Sequence, residues 1–371
     1  MRNTAPHRIV GLVLTSTLAL VAAAAPGAQA IGPVDRVTYR LSFVPAPPSP
    51  EDVVAVPGTR QVVVSGLAAD PLAEGSVGHL YSMSTRTRSV TEIWPDSPWR
   101  TAWDKDTYAD CPGPPDPAKA SPHGINIETD QRGRSTLYVV NHGGREAIEV
   151  FRVGHAKTGQ VLRLTWIGCA EMPEGTFPNG VAPLPRSAGF VVSNFLDPTS
   201  PNPFAGMFTG EKTGDVREWS RRRGWRTVPR SALGGANGIE VTPDGASVVV
   251  AAWGERKVYR IPLRRGFAGN AKVSVSVPLK PDNLRWTADG RLLLTGQDIT
   301  EPQFIACQRG DIAECPAGIR VLRVDPDTMR VRTIFRSQTK RFRVPTVAAP
   351  VSGQIWIGSV KGERIAVLRA R

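Results

Sequence analysis

Beyond one run near its start, this sequence has no long apolar stretch. Apart from residues 9–25, no segment of the 371 residues is apolar for long enough to cross a bilayer. A helical membrane protein of several spans is excluded. Cysteine is scarce: there are four, and none stands in a Cys-x-x-Cys pair, which excludes zinc fingers and ribbons of that spacing. Acid is in deficit, with 33 Asp and Glu against 46 Lys and Arg, leaving a formal charge of +13. Charge alone therefore points to a polyanionic partner rather than a cationic one. Stretches free of turn formers are short, because 36 Gly and 33 Pro are spread along the chain. That suits many short strands joined by turns and excludes a mainly helical fold.

What is present begins with a leader. Arg2 and Arg8 precede the apolar run, and Ala28-Gln29-Ala30 forms a small-x-small site. Residues 1–30 read as a secretory signal cleaved after Ala30, leaving one domain over 31–371. The alternative is an uncleaved membrane anchor, for which the apolar run is short. Losing Arg2 and Arg8 lowers the charge by two, to +11. Export to an oxidising compartment makes disulfides the expectation for the four cysteines, with free thiols as the alternative. Cys307 with Cys315 closes a short loop, which leaves Cys111 with Cys169. Residues 217–230 hold six Arg with Trp219 and Trp225, a pattern that nucleic-acid binders also show. An exported protein rarely meets nucleic acid, and the plainer reading is solubilising Arg on outer strands with Trp packed between layers.

The organising stretch is 121–151. It reads as three short strands, around 123–127, 137–140 and 147–151, with turns at Gly133 and at Gly143-Gly144. Its opening phrase, Pro-polar-x-aliphatic, recurs along the chain. It appears as Pro50-Glu51-Asp52-Val53, Pro122-His123-Gly124-Ile125, Pro178-Asn179-Gly180-Val181 and Pro281-Asp282-Asn283-Leu284. Ala236-Asn237-Gly238-Ile239 is the same phrase with Ala for Pro, and Val344-Pro345-Thr346-Val347 is a degenerate sixth. A second apolar strand follows each copy, at 61–65, 137–140, 190–193, 247–251, 292–295 and 354–357. The step between copies ranges from 45 residues (Asn237 to Asp282) to 72 (Glu51 to His123). Six such units predict an all-β, six-bladed β-propeller with each polar position facing a central channel. Residues 36–43 are expected to complete the last blade. The long loops 96–122, 194–212 and 297–318 are expected at the channel mouth.

The channel set is then Glu51, His123, Asn179, Asn237 and Asp282, with Asn283 and Asp52 beside two of them. Carboxylates and amide carbonyls drawn from different strands suit a hard cation, and their flexible geometry favours Ca²⁺ over Mg²⁺. Any one of these dipeptides alone is an ordinary turn; the weight lies in one position of successive repeats converging.

His123-Gly-Ile, Tyr138-Val-Val-Asn-His142, Pro178-Asn179, Ala236-Asn237-Gly-Ile and Asp282-Asn283 together resemble the paraoxonase/arylesterase family. The wider group holds the gluconolactonase and SMP-30-like six-bladed propellers. The resemblance spans residues 45–371 and is densest over 121–151. It implies Glu51, Asn179, Asn237, Asp282 and Asn283 as ligands of one catalytic calcium, and His123 and His142 as a histidine pair. It also implies Asp52 as a ligand of a second, structural calcium, but Gly180 stands where that family has a further acidic ligand.

The expected activity is calcium-dependent hydrolysis of a lactone or aryl ester. The ion would polarise the carbonyl, His123 would act as general base, and His142 would orient or relay. Glu51 or Asp282 as base or nucleophile stays open, as does a purely polar role for either histidine. Two further readings stay open: a binding propeller with a structural calcium, and a sugar-lactone hydrolase of the gluconolactonase kind. The expected partner is a small lactone or ester, met by a secreted monomer without a membrane anchor.

Overall fold

The phrase Pro-polar-x-aliphatic opens the innermost strand of every blade. The computed structural model describes Met1 and residues 37–69, 75–154, 162–263 and 271–371; the leader, apart from Met1, lies outside the described residues. Strand β1 (Tyr39–Pro45) comes first. Blade 1 holds β2 (Pro50–Ala55), β3 (Gln61–Gly66), β4 (His79–Ser84) and β5 (Val90–Trp94). Blade 2 holds β7 (Pro122–Thr129), β8 (Ser135–Asn141), β9 (Ala147–Val153) and β10 (Leu164–Glu171), with the short β6 (Arg100–Thr101) parallel to β10 on its outer edge. Blade 3 holds β11 (Phe177–Pro183), β12 (Phe190–Leu196), β13 (Asp215–Ser220) and β14 (Gly224–Thr227). Blade 4 holds β15 (Ala236–Val241), β16 (Ser247–Ala252), β17 (Lys257–Pro262) and β18 (Val273–Ser276). Blade 5 holds β19 (Lys280–Trp286), β20 (Leu292–Gln297), β21 (Ile319–Val324) and β22 (Val331–Ser337). Blade 6 holds β23 (Pro345–Val351), β24 (Gln354–Ser359) and β25 (Arg364–Ala370), and β1 completes it.

The inner strands touch in ring order, β2 to β7, β11, β15, β19 and β23, and β23 meets β2 again. β1 joins the two ends of the chain in one sheet, antiparallel to β25 from Tyr39 opposite Ala370 to Pro45 opposite Arg364. It begins three residues later than the sequence suggests and ends two later. A closed ring has no free inner edge, and pairing the first strand with the last is what holds it shut.

The second strand of each blade explains the apolar runs. Val62 to Val64, Val248 to Val250 and Leu292 to Leu294 are all buried, odd and even positions alike. Both faces of these strands lie against neighbouring blades, so alternation gives way to continuous apolar sequence. Each such side chain contributes roughly 1.5–3 kcal/mol on burial.

Both expected disulfides are present. Cys111 and Cys169 have Cα atoms 5.3 Å apart, and Cys307 and Cys315 4.9 Å apart. Trp219 stacks between Tyr108 and Phe190, at 5.3 and 5.0 Å between ring centroids, so its ring faces are used inside the protein. No helix among the described residues is long and apolar enough to cross a membrane.

Candidate active site

The recurring phrase is a recurring bulge. In every blade the inner strand pairs at the Pro or Ala that begins the phrase, slips, and resumes pairing two or three residues on. Pro122 lies opposite Asn141 and then Ile125 opposite Val139; Pro178 opposite Asn194 and then Val181 opposite Val192. The same slip occurs after Pro50, Ala236, Pro281 and Pro345. A bulge leaves its extra residue out of the ladder and re-aims it. Here the freed polar residue turns to the axis. The residue after it is often Gly because the inner strands nearly touch there. A Cβ on Gly124 would lie 2.1 Å from Asn179 O, and one on Gly238 2.5 Å from Asn283 Cα.

Glu51, His123, Asn179, Asn237 and Asp282 consequently line one cavity of about 420 Å³, together with Thr346 of the sixth copy. All are buried, although they come from distant parts of the chain. Asn283 lies just behind, giving its Nδ2 hydrogen to Glu51 Oε1 at 2.7 Å. Asp52 does not line the cavity; Arg285 and the Ile125 N–H hold its Oδ2.

The polar ends in this cavity are unequally satisfied. Glu51 Oε2, Asn179 Oδ1 and Asn237 Oδ1 are buried without a hydrogen-bond partner. A buried acceptor left unpaired costs about 1–3 kcal/mol. Burial, then the charges of Asp52 and Asp282, pushes the Glu51 carboxyl well above its ordinary range. Burial likewise raises Asp282 to about 7, against the hydrogen bonds from Gln297 and Asn237. Three orphaned acceptors and two crowded carboxylates form an oxygen-only set that lacks positive charge, and a hard divalent cation fits that set.

The histidines form a directed chain. His142 Nδ1 meets Glu146 Oε2 at 2.7 Å, and His142 Nε2 meets His123 Nδ1 at 2.9 Å. A carboxylate oxygen at Glu146 accepts from His142 Nδ1, which leaves a lone pair at His142 Nε2. His123 then donates from Nδ1, and its Nε2 lone pair faces the cavity. Asn179 Nδ2 lies 3.5 Å from that nitrogen and Glu51 Oε1 3.9 Å. Burial, and then the neighbouring His142, lowers the His123 pKa well below its usual value and keeps the ring neutral. His142 also stacks on Phe177, ring centroids 4.1 Å apart, which fixes its plane.

Two residues here carry no repeat signal. Glu146 sits in the turn after β8 and looks like any surface acid. Gln297, at the end of β20, donates from Nε2 to Asp282 Oδ2 at 2.6 Å and to Pro345 O at 2.7 Å, while its Oε1 accepts from Trp253 Nε1 at 2.8 Å. It links a channel carboxylate to the aromatic wall.

That wall is Phe177, Phe195, Phe204, Phe208, Trp253 and Phe304. Phe177 opens β11 and Trp253 directly follows β16; loops 194–212 and 297–318 supply the other four, the first partly through the helical turn α1 (Gly206–Thr209), the second through α2 (Glu301–Gln308). α2 starts on a capping box between Thr300 and Gln303. Loop 96–122 does not line the cavity, contrary to expectation. β6 pairs with the outermost strand β10, Cys111 is bonded to Cys169, and Tyr108 packs against Gly168 and Trp219, so the loop runs over the outer part of blade 2.

No family model matches the chain, and no curated protein matches it in sequence. Solved structures do match in fold. Virginiamycin B lyase from Staphylococcus aureus aligns over 90% of this chain and 99% of its own, at 13% identity and a TM-score of 0.50. A luciferin-regenerating enzyme aligns over 90% and 95%, at 9% identity and a TM-score of 0.54. A periplasmic gluconolactonase of Pseudomonas aeruginosa aligns over 83% and 77%, at 13% identity and a TM-score of 0.43, too loose to bear on chemistry. At these identities the first two likenesses bear on the fold alone and show nothing of the reaction.

Proposed function

We propose that this chain is a secreted, calcium-dependent hydrolase of lactones or aryl esters. The observation that carries the reading is the convergence of Glu51 Oε2, Asn179 Oδ1 and Asn237 Oδ1, all buried and partnerless, on the cavity that Asp282 and His123 also line. Glu51, Asn179, Asn237, Asp282 and Asn283 would hold the ion, with two carboxylates to balance two positive charges. Oxygen ligands from four separate strands suit calcium, which tolerates irregular geometry. When bound, the ion supplies Lewis-acid polarisation of the ester carbonyl.

The remaining work falls to side chains. His123 Nε2, neutral and unprotonated, takes a proton from the attacking water and returns it to the departing alcohol oxygen. The positive charge that forms on His123 is shared through its Nδ1 hydrogen with His142, and Glu146 stabilises it. Asn179 Nδ2, beside His123 Nε2, keeps the ring turned to the cavity. The aromatic wall excludes bulk water and receives the apolar part of an ester. Two disulfides agree with an oxidising compartment. The leader cleaved after Ala30 belongs to the same proposal, tested by the N-terminal residue of the exported protein: Ile31 is expected, and an intact Met1 in a membrane fraction contradicts it.

The function is tested by a panel of lactones and phenyl esters assayed with and without chelator. Hydrolysis that vanishes on chelation and returns with calcium is expected. Hydrolysis indifferent to chelator and calcium removes the ion from the mechanism, and no turnover on any member removes the ester class.

A further inference from the structure

A second group of oxygens surrounds the axis beyond the cavity, and its centre is occupied by a side chain. Arg285 lies on β19, two residues after Asn283, and is 6% exposed. Its Nη2 donates to Asp52 Oδ2 at 2.5 Å and to Ile125 O at 2.7 Å. Its Nη1 donates to Leu284 O at 2.7 Å and lies 3.5 Å from Glu240 Oε1, and its Nε donates to Val53 O at 3.3 Å. Asp52 and Val53 belong to blade 1, Ile125 to blade 2, Glu240 to blade 4 and Leu284 to blade 5. One guanidinium thus draws in two carboxylates and three backbone carbonyls from four blades.

That environment is what a hard metal ion would gather. The groups that accept from Arg285 are all oxygens, two of its neighbours are carboxylates, and they come from separate strands; Asn126 Nδ2 also reaches Glu240 Oε1, at 3.4 Å. The resemblance noted from the sequence implies a structural ion at Asp52, and this chain does not fit one there. The Asp52 carboxylate already accepts from the Val53 and Ile125 N–H groups and from Arg285, and Gly180 brings no side-chain oxygen. Arg can take this place because its charge is permanent and its five hydrogens are fixed in a plane, so one side chain serves several acceptors at once.

We propose that Arg285 is a built-in cation that stands in for a second metal ion, cross-linking four blades by charge, and that its removal exposes a latent calcium site made by Asp52, Glu240 and the carbonyls of Val53 and Ile125. The proposal is independent of whether the cavity at His123 holds calcium, since it concerns a different set of residues.

The test is a count of ions with a melting curve, on the full secreted chain. Equilibrium dialysis followed by elemental analysis is expected to give at most one tightly held calcium per wild-type chain. Arg285→Met, which keeps much of the aliphatic stem and removes the charge, is expected to bind one calcium more than wild type. Its melting temperature should fall without calcium and recover when calcium is added, by more than the wild type responds. Two tightly held ions in the wild type overturn the proposal, as does an Arg285→Met protein that binds no more calcium than its parent. If that variant does not fold, the wild-type count decides, joined by the triple variant Arg285→Met, Asp52→Asn, Glu240→Gln. With charge removed on both sides, the triple variant is expected to fold without calcium and to gain no ion; calcium uptake by it beyond wild type also overturns the proposal. No calcium in the wild type, with uptake by Arg285→Met, refutes the calcium site at Glu51 and Asp282 and leaves Arg285 in its role.

Discussion

At His123 the two ring nitrogens have different surroundings: Nδ1 meets His142 at 2.9 Å, and Nε2 faces the cavity with Asn179 Nδ2 3.5 Å away. His123→Gln keeps a polar side chain and loses the base, so turnover should drop by roughly 10²–10⁴-fold while calcium affinity, read by titration, stays near that of wild type. Unchanged turnover would move the proton to a carboxylate. Gln297 gives a second residue-level expectation. It orients Asp282 from behind, and loss of such an outer partner commonly weakens a metal by about 10–100-fold. Gln297→Ala should therefore shift the calcium dependence of hydrolysis by that factor, with turnover at saturating calcium largely kept; an unshifted calcium curve contradicts the role. Lys280 offers a pH test. Its ammonium lies over Trp253 and Phe208, 4.2 and 4.5 Å from the ring centroids. Burial, then Arg256, lowers its pKa from 10.5 to about 8, against the pull of the two rings. Folding thus releases a proton between those values, so stability should rise as pH climbs from about 8 to 10.5 and level off beyond. Denaturant titrations of Lys280→Met should show a smaller rise over that window than wild type does.

At the scale of the element, the inner strand with its bulge is the working unit. Its Gly is held to that identity by a neighbouring blade and not by its own dihedral angles. Gly124→Ala pushes a methyl group into Asn179 O, and the strand cannot move without displacing Asn179. Overpacking of this kind costs roughly 1–3 kcal/mol. A lower denaturation midpoint with weakened calcium binding is expected, because the clash falls on the residue that carries Asn179. Wild-type midpoint and affinity would show that the blades yield freely. The same unit explains which positions were readable in advance. Pro50, Pro122, Pro178 and Pro281 each mark the last paired residue before a bulge, so sequence and geometry repeat together. Arg285 repeats nothing and occupies an ordinary strand position, so no pattern distinguished it from the many Arg of the outer strands.

At the scale of the whole molecule, the axis is where charge and closure meet. Glu51 in blade 1 and Asp282 in blade 5 share one buried cavity, so a bound divalent ion should stabilise the ring as well as serve the reaction. Calcium is expected to raise the melting temperature. Asp282→Ala should abolish both that rise and hydrolysis, whereas Asn179→Ala, which removes a dipole and not a charge, should weaken both less. A melting temperature indifferent to calcium and chelator in the wild type would refute the centre and the enzyme built on it.

The sequence by itself determined the six blades, the inner strands, the two disulfides and the roll of polar residues that meet at the axis. Each of these leaves a local mark: a Pro before a bulge, a Gly where strands crowd, an apolar run where a strand is buried on both faces. The tertiary structure alone decided the partners. Glu146 behind His142, Gln297 behind Asp282, Arg285 between Asp52 and Glu240, and the course of loop 96–122 over blade 2 all depend on contacts that no local pattern constrains. A hydrogen bond across blades asks for a donor at a point in space, and the chain can bring that donor from any loop or strand that passes.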